Sequence, residues 1–303
     1  MTKINKERAA QIIENQVFNA LKIKFDRFNY HPIRLIQASK SLIGLNLENP
    51  NMNLLDFNSD YLKNNNKNFM KDFKRIDLNP NEVITTYDIE EAFISKDKKA
   101  ILLMLNQLSL VSSELHILEC LIEISLKQTG SSFLVLWSIY KSILFVNKQV
   151  NQLFLSIAID AILSDKFEDL VILDSDFSHD NIISNKNLSY NFLDLYSHLL
   201  EAYNSDLIRE NKIKNLIKNI IFRRLGDIEL NHFSEKKSID YPHLLSSGRF
   251  WLSDFLKKID KQKFTIEFIL FLDFIRCLFR FLDSKEHKFI CFYFQKNIKD
   301  FNV

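Results

Sequence analysis

The sequence predicts an all-α fold of about a dozen antiparallel helices. The chain has four glycines and four prolines in 303 residues, too few for the many tight turns of an all-β protein. Apolar residues recur at helical spacing along most of the chain, between short turns rich in Asn, Asp and Ser. The hydrophobic fraction of 47% is that of a globular chain, and a chain this long can bury a large core.

The first half of the chain reads as a series of helices with recognisable start signals. Pro32 takes a first helical position, Asp97 precedes a helical run, and Ser131 or Ser132 is expected to cap the helix that follows. A polar connector rich in Asn and Lys covers 46–81 and is most prone to disorder at 64–68. The apolar spacing predicts helices at 4–25, 32–45, 52–62, 88–94, 97–110, 112–128, 131–146 and 147–163.

The second half follows an irregular stretch and is again helical. Asp240-Tyr241-Pro242 combines a capping residue with an early proline, which is a helix start signal. The predicted domain organisation is a helical half at 1–165, a connector at 166–188 and a second helical half at 189–303, with one domain over 1–303 as the alternative. The predicted helices here are 189–203, 206–225, 240–259, 264–282 and 285–298.

Charge and cysteine content exclude several classes of protein. The 40 basic and 38 acidic residues create no overall attraction to nucleic acid or to a membrane surface, so no nucleic-acid partner is expected. The two most apolar stretches, 133–146 and 264–282, are too short or too charged to span a bilayer. The N-terminus lacks the apolar region of a signal peptide. Cys120, Cys277 and Cys291 suggest neither a disulfide framework nor zinc ligands, so a cytoplasmic protein without a metal site is expected.

Two histidines and one charged stripe are the candidate polar sites. His31 stands at a helix N-terminus, where the helix dipole disfavours imidazolium, so a neutral His31 could act as a base or as a hydrogen-bond partner; the alternative is a capping histidine. His198 lies on a helix with Tyr196 and Glu201 and faces either a cavity or solvent. Asp273, Arg276 and Arg280 recur at i, i+3 and i+7, which favours a solvent-facing stripe over a buried ion-pair cluster.

The segment from Ile13-Glu14-Asn15 through Phe28-Asn29-Tyr30-His31-Pro32-Ile33 to Leu45 resembles the opening of questin oxidase-like proteins. The resemblance implies an all-helical fold and oxidation of a small hydrophobic or aromatic molecule. His31 and His243 match histidines of the family type, which implies catalytic roles for these two residues. Tyr30, His198 and Tyr241 are then the expected substrate-binding neighbours, and the cofactor is not identified.

Two functions follow as hypotheses. The first is a protein with an apolar cavity between helices that binds a small hydrophobic or aromatic molecule, with oxidoreductase activity if the family resemblance holds. The second is a non-catalytic helical scaffold that binds a protein partner. Convergence of His31, His198 and His243 on one cavity would favour the first hypothesis, whereas scattered histidines and a solid core would favour the second.

Overall fold

The predicted all-α architecture is confirmed. The computed structural model describes residues 2–25, 27–65, 83–146, 151–168, 182–207, 209–226, 228–234 and 237–301. Over these residues the chain forms α-helices and short 3-10 turns, with two isolated bridges and no strand. The helices are α1 (Thr2–Ala20), α2 (Pro32–Ile43), α3 (Met52–Asn65), α4 (Thr86–Ile94), α5 (Lys98–Leu108), α6 (Glu114–Ser125), α7 (Ser131–Ile143), α8 (Asn151–Ser164), α9 (Tyr190–Tyr203), α10 (Glu210–Gly226), α11 (Pro242–Ser247), α12 (Trp251–Lys257), α13 (Ile266–Phe281) and α14 (His287–Asn297).

Side-chain caps explain several of the helix starts. Thr85 and Asp88 form a reciprocal capping box at α4, in which Asp88 Oδ2 accepts from the Thr85 backbone N–H at 2.7 Å. The Asp97 carboxylate accepts from two backbone N–H groups at the start of α5, as predicted. Ser189 and Thr265 cap α9 and α13 in the same way. These caps determine where α4, α5, α9 and α13 begin.

Some details of the predicted helix starts and spans are wrong. Asp240 does not cap α11, because the N-cap position is Tyr241 and no side chain caps it. The single helix expected over 240–259 is divided into α11 and α12 by Gly248, whose φ of +53° lies in the left-handed region. Neither Ser131 nor Ser132 caps α7. The cap residue is Gly130, at φ +104°, while Asp165 accepts hydrogen bonds from the Ser132 backbone and hydroxyl at 3.2 and 3.1 Å.

Four helices form the centre of the molecule. α13 packs against both α2 and α9, and α7 packs against both α2 and α9. Every residue of α13 from Phe268 to Phe279 is buried, which is the pattern of a helix surrounded by others. This arrangement brings the inward faces of α2, α7, α9 and α13, the central bundle, around one interior.

One continuous hydrophobic core joins helices from before and after the predicted connector. It includes Ile36 of α2 and Leu136 of α7 together with Leu199 of α9 and Ile275 of α13. No helix in the described ranges is both long enough and apolar enough to cross a bilayer. Of the disorder-prone segment expected at 64–68, residues 64 and 65 belong to α3, and the rest lies outside the described residues. Most of the connector expected at 166–188 also lies outside them.

Candidate functional site

A cleft of about 450 Å³ opens where α7 and α9 begin. Gly130 allows this approach, because a Cβ atom there would lie 2.7 Å from Leu195 Cδ2 on α9. The apolar part of the wall comes from Leu134, Phe192, Leu195, Ile228 and Leu270. Its polar part comes from the residues Asn29, Tyr30, Arg34, Thr129, Ser131, Ser189, Tyr190, Asn191, Asp194 and Arg224.

The most buried polar residues that line the cleft form an ion pair. Arg34 Nη2 donates to both carboxylate oxygens of Asp194 at 2.8 Å, and Arg34 Nη1 donates to the Asn29 carbonyl at 2.6 Å. Burial alone would raise the pKa of Asp194, but Arg34 and His198 outweigh it and hold that pKa below its usual value. The pair therefore presents fixed opposite charges at the base of the cleft.

Behind this pair, the interior of the central bundle holds a charged cluster. His198 Nε2 lies 3.5 Å from Asp194 Oδ1 and 3.9 Å from Asp273 Oδ2. Arg276 Nε donates to Asp273 Oδ1 at 2.6 Å, and Arg276 Nη2 lies 3.4 Å from Glu201 Oε1. We call His198, Glu201, Asp273, Arg276 and their partner Lys141 the charged cluster. Each carboxylate in it has a cationic neighbour, which offsets the cost of burying charge.

Glu201 joins α9 to both α7 and α13 within the charged cluster. Its Oε2 accepts from Trp137 Nε1 at 3.0 Å and also pairs with Lys141. Burial raises the pKa of Glu201, but Lys141, His198 and Arg276 outweigh burial and hold the pKa well below its ordinary value. For the base His198, burial has the opposite effect and lowers the pKa. The neighbouring Cys277, Asp194 and Glu201 outweigh burial and raise that pKa well above 6.5.

His198, Glu201 and Cys277 also offer three metal-ligand atoms within 4.8 Å of one another. Two cationic side chains already contact these atoms. Arg276 Nη2 donates to Cys277 Sγ at 3.0 Å, and Lys141 pairs with Glu201. Because a guanidinium and an ammonium already balance these donors, the set does not fit a divalent cation.

The favoured interpretation of the Asp273, Arg276 and Arg280 stripe is wrong for two of its members. Asp273 and Arg276 are buried in the charged cluster, and only Arg280 is exposed. The physical reason is the matching polar face of α9, since His198 faces Asp273 and Glu201 faces Arg276. The alternative interpretation, a buried ion-pair cluster, therefore describes Asp273 and Arg276.

His31 caps α2 from a buried position. Its Nδ1 accepts from the Ile33 backbone N–H at 3.1 Å, and the ring also hydrogen-bonds to the backbone of Ile23. Burial lowers the pKa of His31 to about 3. The ring is neutral and both nitrogens serve the backbone, which is the capping role that the sequence left as the alternative.

We expect this buried neutral histidine to make the protein acid-sensitive. The unfolded chain binds a proton at His31 near pH 6.5, whereas the folded chain does so only near pH 3, so stability falls as the pH drops between these values. Between pH 7 and pH 5 the contribution lost is about 2 kcal/mol. Urea unfolding at both pH values measures how much free energy of unfolding is lost between pH 7 and pH 5. This loss should be about 2 kcal/mol smaller in His31→Asn than in the wild type, because asparagine keeps a capping acceptor but does not titrate.

The matched control is His243→Asn, since His243 is exposed on α11. That variant should keep the full pH dependence of the wild type. Equal pH dependence in wild type and His31→Asn would contradict the assignment of a neutral buried ring.

The three histidines do not converge on one cavity. His31 borders a separate cavity of about 240 Å³ with Phe25 and Phe28, His198 belongs to the charged cluster, and His243 is exposed. Tyr241 lies in an aromatic group, with ring centroids 4.9 Å from Phe294 and 5.9 Å from Trp251.

Among the predicted site residues, Tyr30 and His198 both lie next to Asp194. Tyr30 lines the cleft beside Asp194, and Asp194 in turn faces His198. Sequence reasoning missed Arg34, Asp194 and Lys141, and it named Glu201 only as a neighbour of His198. The available signal was the spacing of Asp194, His198 and Glu201 along one helical face.

Comparisons of this chain with models of known protein families, with curated proteins and with solved structures found no match.

Proposed function

We propose that this protein binds a small molecule in the cleft between the starts of α7 and α9. The observation that carries the proposal is the buried Arg34–Asp194 pair at the base of an open cleft of about 450 Å³. Clefts of this size that combine apolar walls with a few fixed polar groups are typical of small-molecule sites. The site is more polar than the apolar cavity expected from the sequence.

The lining indicates the chemistry of the molecule. Leu134, Leu195 and Leu270 offer an apolar surface, and Tyr30 and Tyr190 contribute aromatic rings to the lining. The Tyr190 hydroxyl donates to the Glu267 carbonyl at 2.9 Å, while the Tyr30 hydroxyl has no hydrogen-bond partner among the described residues and is available to a ligand. A small, partly aromatic molecule with one or two polar groups fits this lining. Its oxidation, which the family resemblance implies, stays a prediction.

Native mass spectrometry of protein purified from its own cells, followed by a thermal-shift screen of small aromatic alcohols and acids, tests the proposal. Ser131→Trp should obstruct the cleft, because Ser131 lines it at the first turn of α7. A ligand present at a hundred times its Kd should stabilise the wild type by about 2.7 kcal/mol. We expect Ser131→Trp to lose both the retained mass and this stabilisation.

Ser247→Trp is the matched control, since Ser247 is exposed at the end of α11 and does not line the cleft. It should behave as the wild type does. Equal ligand binding by Ser131→Trp, or a screen in which no compound stabilises the wild type more than Ser131→Trp, would contradict the assignment of the cleft.

The second candidate function is binding of a protein partner through α4 and α5. Five large apolar side chains on or beside these packed helices are exposed: Tyr87, Ile94, Leu103, Leu110 and Val111. Exposed apolar groups concentrated on one helix pair are typical of interaction surfaces. Cross-linking in cell extract, compared between wild type and Leu103→Glu/Val111→Glu, tests this candidate. A partner captured equally by both proteins would exclude this surface.

A further inference from the structure

A groove of about 510 Å³ lies between α1 and α3 and shares no lining residue with the cleft at α7 and α9. We call it the α1–α3 groove. Its lining combines three aliphatic side chains with two lysines, three amides and one hydroxyl. Among the described residues that line it, none is acidic. Because a concave surface that carries only positive charge attracts anions, this composition favours an anionic ligand.

Two lysines supply the positive charge of the α1–α3 groove. Lys22 follows the end of α1, and its Nζ lies 3.9 Å from the ring centroid of Phe18. Lys63 belongs to the last turn of α3. Within the part of the chain that the structure describes, neither ammonium forms an ion pair, and Asp60 on α3 pairs with Lys261 instead, at 2.8 Å. Both ammonium groups can therefore take an anionic partner from solvent.

The side of α1 that lines the groove carries amides and no acid. Asn15, Gln16 and Asn19 lie on this side, within one turn of one another. The two acidic residues of α1 are Glu7 and Glu14. At about 100° per residue, both lie about 180–200° around the helix from Gln16. The negative charges of α1 therefore point away from the groove.

The amides of the groove differ in how far they are already engaged. Gln16 is buried, and its Nε2 donates to the Leu55 carbonyl at 2.8 Å and to Ser59 Oγ at 2.9 Å. These bonds fix the spacing of α1 and α3. Asn15 and Asn19 are exposed, and their side-chain amides have no hydrogen-bond partner among the described residues. Each of the two offers a ligand both donors and an acceptor on a rigid wall.

We propose that the α1–α3 groove binds a phosphorylated sugar. The phosphate dianion lies between Lys22 and Lys63, since lysine ammonium groups are common phosphate ligands. The sugar hydroxyls hydrogen-bond to the amides of Asn15 and Asn19, which can donate and accept at once. Leu62 offers an apolar surface to the C–H side of the sugar ring. The volume of the groove lies within the range of about 300–1,000 Å³ that is typical of small-molecule sites.

Isothermal titration calorimetry of the folded, full-length protein with ribose 5-phosphate tests the proposal. Ribose and inorganic phosphate are titrated in parallel, so that the two halves of the ligand are measured separately. We expect ribose 5-phosphate to bind at least about tenfold more tightly than either half, because it engages both the lysines and the amides. Raising the salt concentration should weaken its binding, because the charges of the groove are partly exposed.

Two double variants separate the charged half of the site from its amide half. Lys22→Gln/Lys63→Gln should weaken the binding of ribose 5-phosphate at least about tenfold. Asn15→Leu/Asn19→Leu should lower the affinity for ribose 5-phosphate to that for inorganic phosphate.

The matched control is Lys257→Gln/Lys258→Gln, which makes the same change in net charge at two exposed lysines outside the groove. It should bind ribose 5-phosphate as the wild type does. Ser131→Trp obstructs the cleft and should also leave this binding unchanged.

Three results would each overturn the proposal. One is the absence of binding of ribose 5-phosphate to the wild type at millimolar concentration. Another is equal affinity for ribose 5-phosphate and inorganic phosphate, which would mean that the amides do not contact the sugar. The last is binding that Ser131→Trp abolishes and Lys22→Gln/Lys63→Gln retains, because the ligand would then occupy the cleft.

Discussion

Replacing Glu201 with glutamine is expected to lower the free energy of unfolding by about 3–5 kcal/mol. The change is nearly isosteric, so its effect is electrostatic. Glutamine removes the negative charge that faces Lys141 and Arg276 and turns one acceptor into a donor opposite Trp137 Nε1. Two buried cations then lose a counter-charge, which is the costly way to break a buried network.

Urea unfolding measures this loss, and Glu210→Gln is the matched control. Glu210 pairs with Lys214 one turn away on α10, but half of its side chain is exposed (50%), so the control should change stability by no more than about 0.5 kcal/mol. An equal effect of the two variants would mean that water screens the charged cluster. An altered m-value would instead indicate a change in the unfolded or native state beyond the lost charge.

Helix positions were predictable because their signals are local. Pro32 and Pro242 take first helical positions, and Asp97 caps α5, as their local sequences predict. The interruption at Gly248 was harder to predict, because a glycine within an apolar helical run is compatible with both a continuous helix and a break.

The charged cluster shows how much of a site depends on pairing between distant helices. The stripe of Asp273 and Arg276 was visible in the sequence, but a single helix cannot reveal whether such a stripe meets solvent or another helix. Part of the argument for a buried stripe was available from the sequence. A helix that is apolar on all other sides is buried, so its charges require an oppositely charged face elsewhere. His198 and Glu201 on α9 provide that face.

Replacing Arg34 with methionine is expected to cost about 3–5 kcal/mol, and a second replacement should restore most of it. Arg34→Met leaves the buried Asp194 carboxylate without its bidentate partner. In the double variant Arg34→Met/Asp194→Leu neither charge is buried, so its loss should be smaller than that of either single variant. Urea unfolding of the four proteins gives the coupling energy, and additive losses would contradict a direct interaction.

The same double variant separates a structural role of the pair from a role in binding. If the pair only holds α2 against α9, the double variant should regain stability and still bind the ligand of the cleft. If the pair contacts the ligand, stability should return while binding is lost, because the polar base of the cleft has become apolar. The residual instability in that variant would come from His198, whose contact to Asp194 at 3.5 Å is removed together with the pair. Adding Arg34→Met/Asp194→Leu to the thermal-shift screen therefore connects the energetics of the core to the proposed function of the cleft.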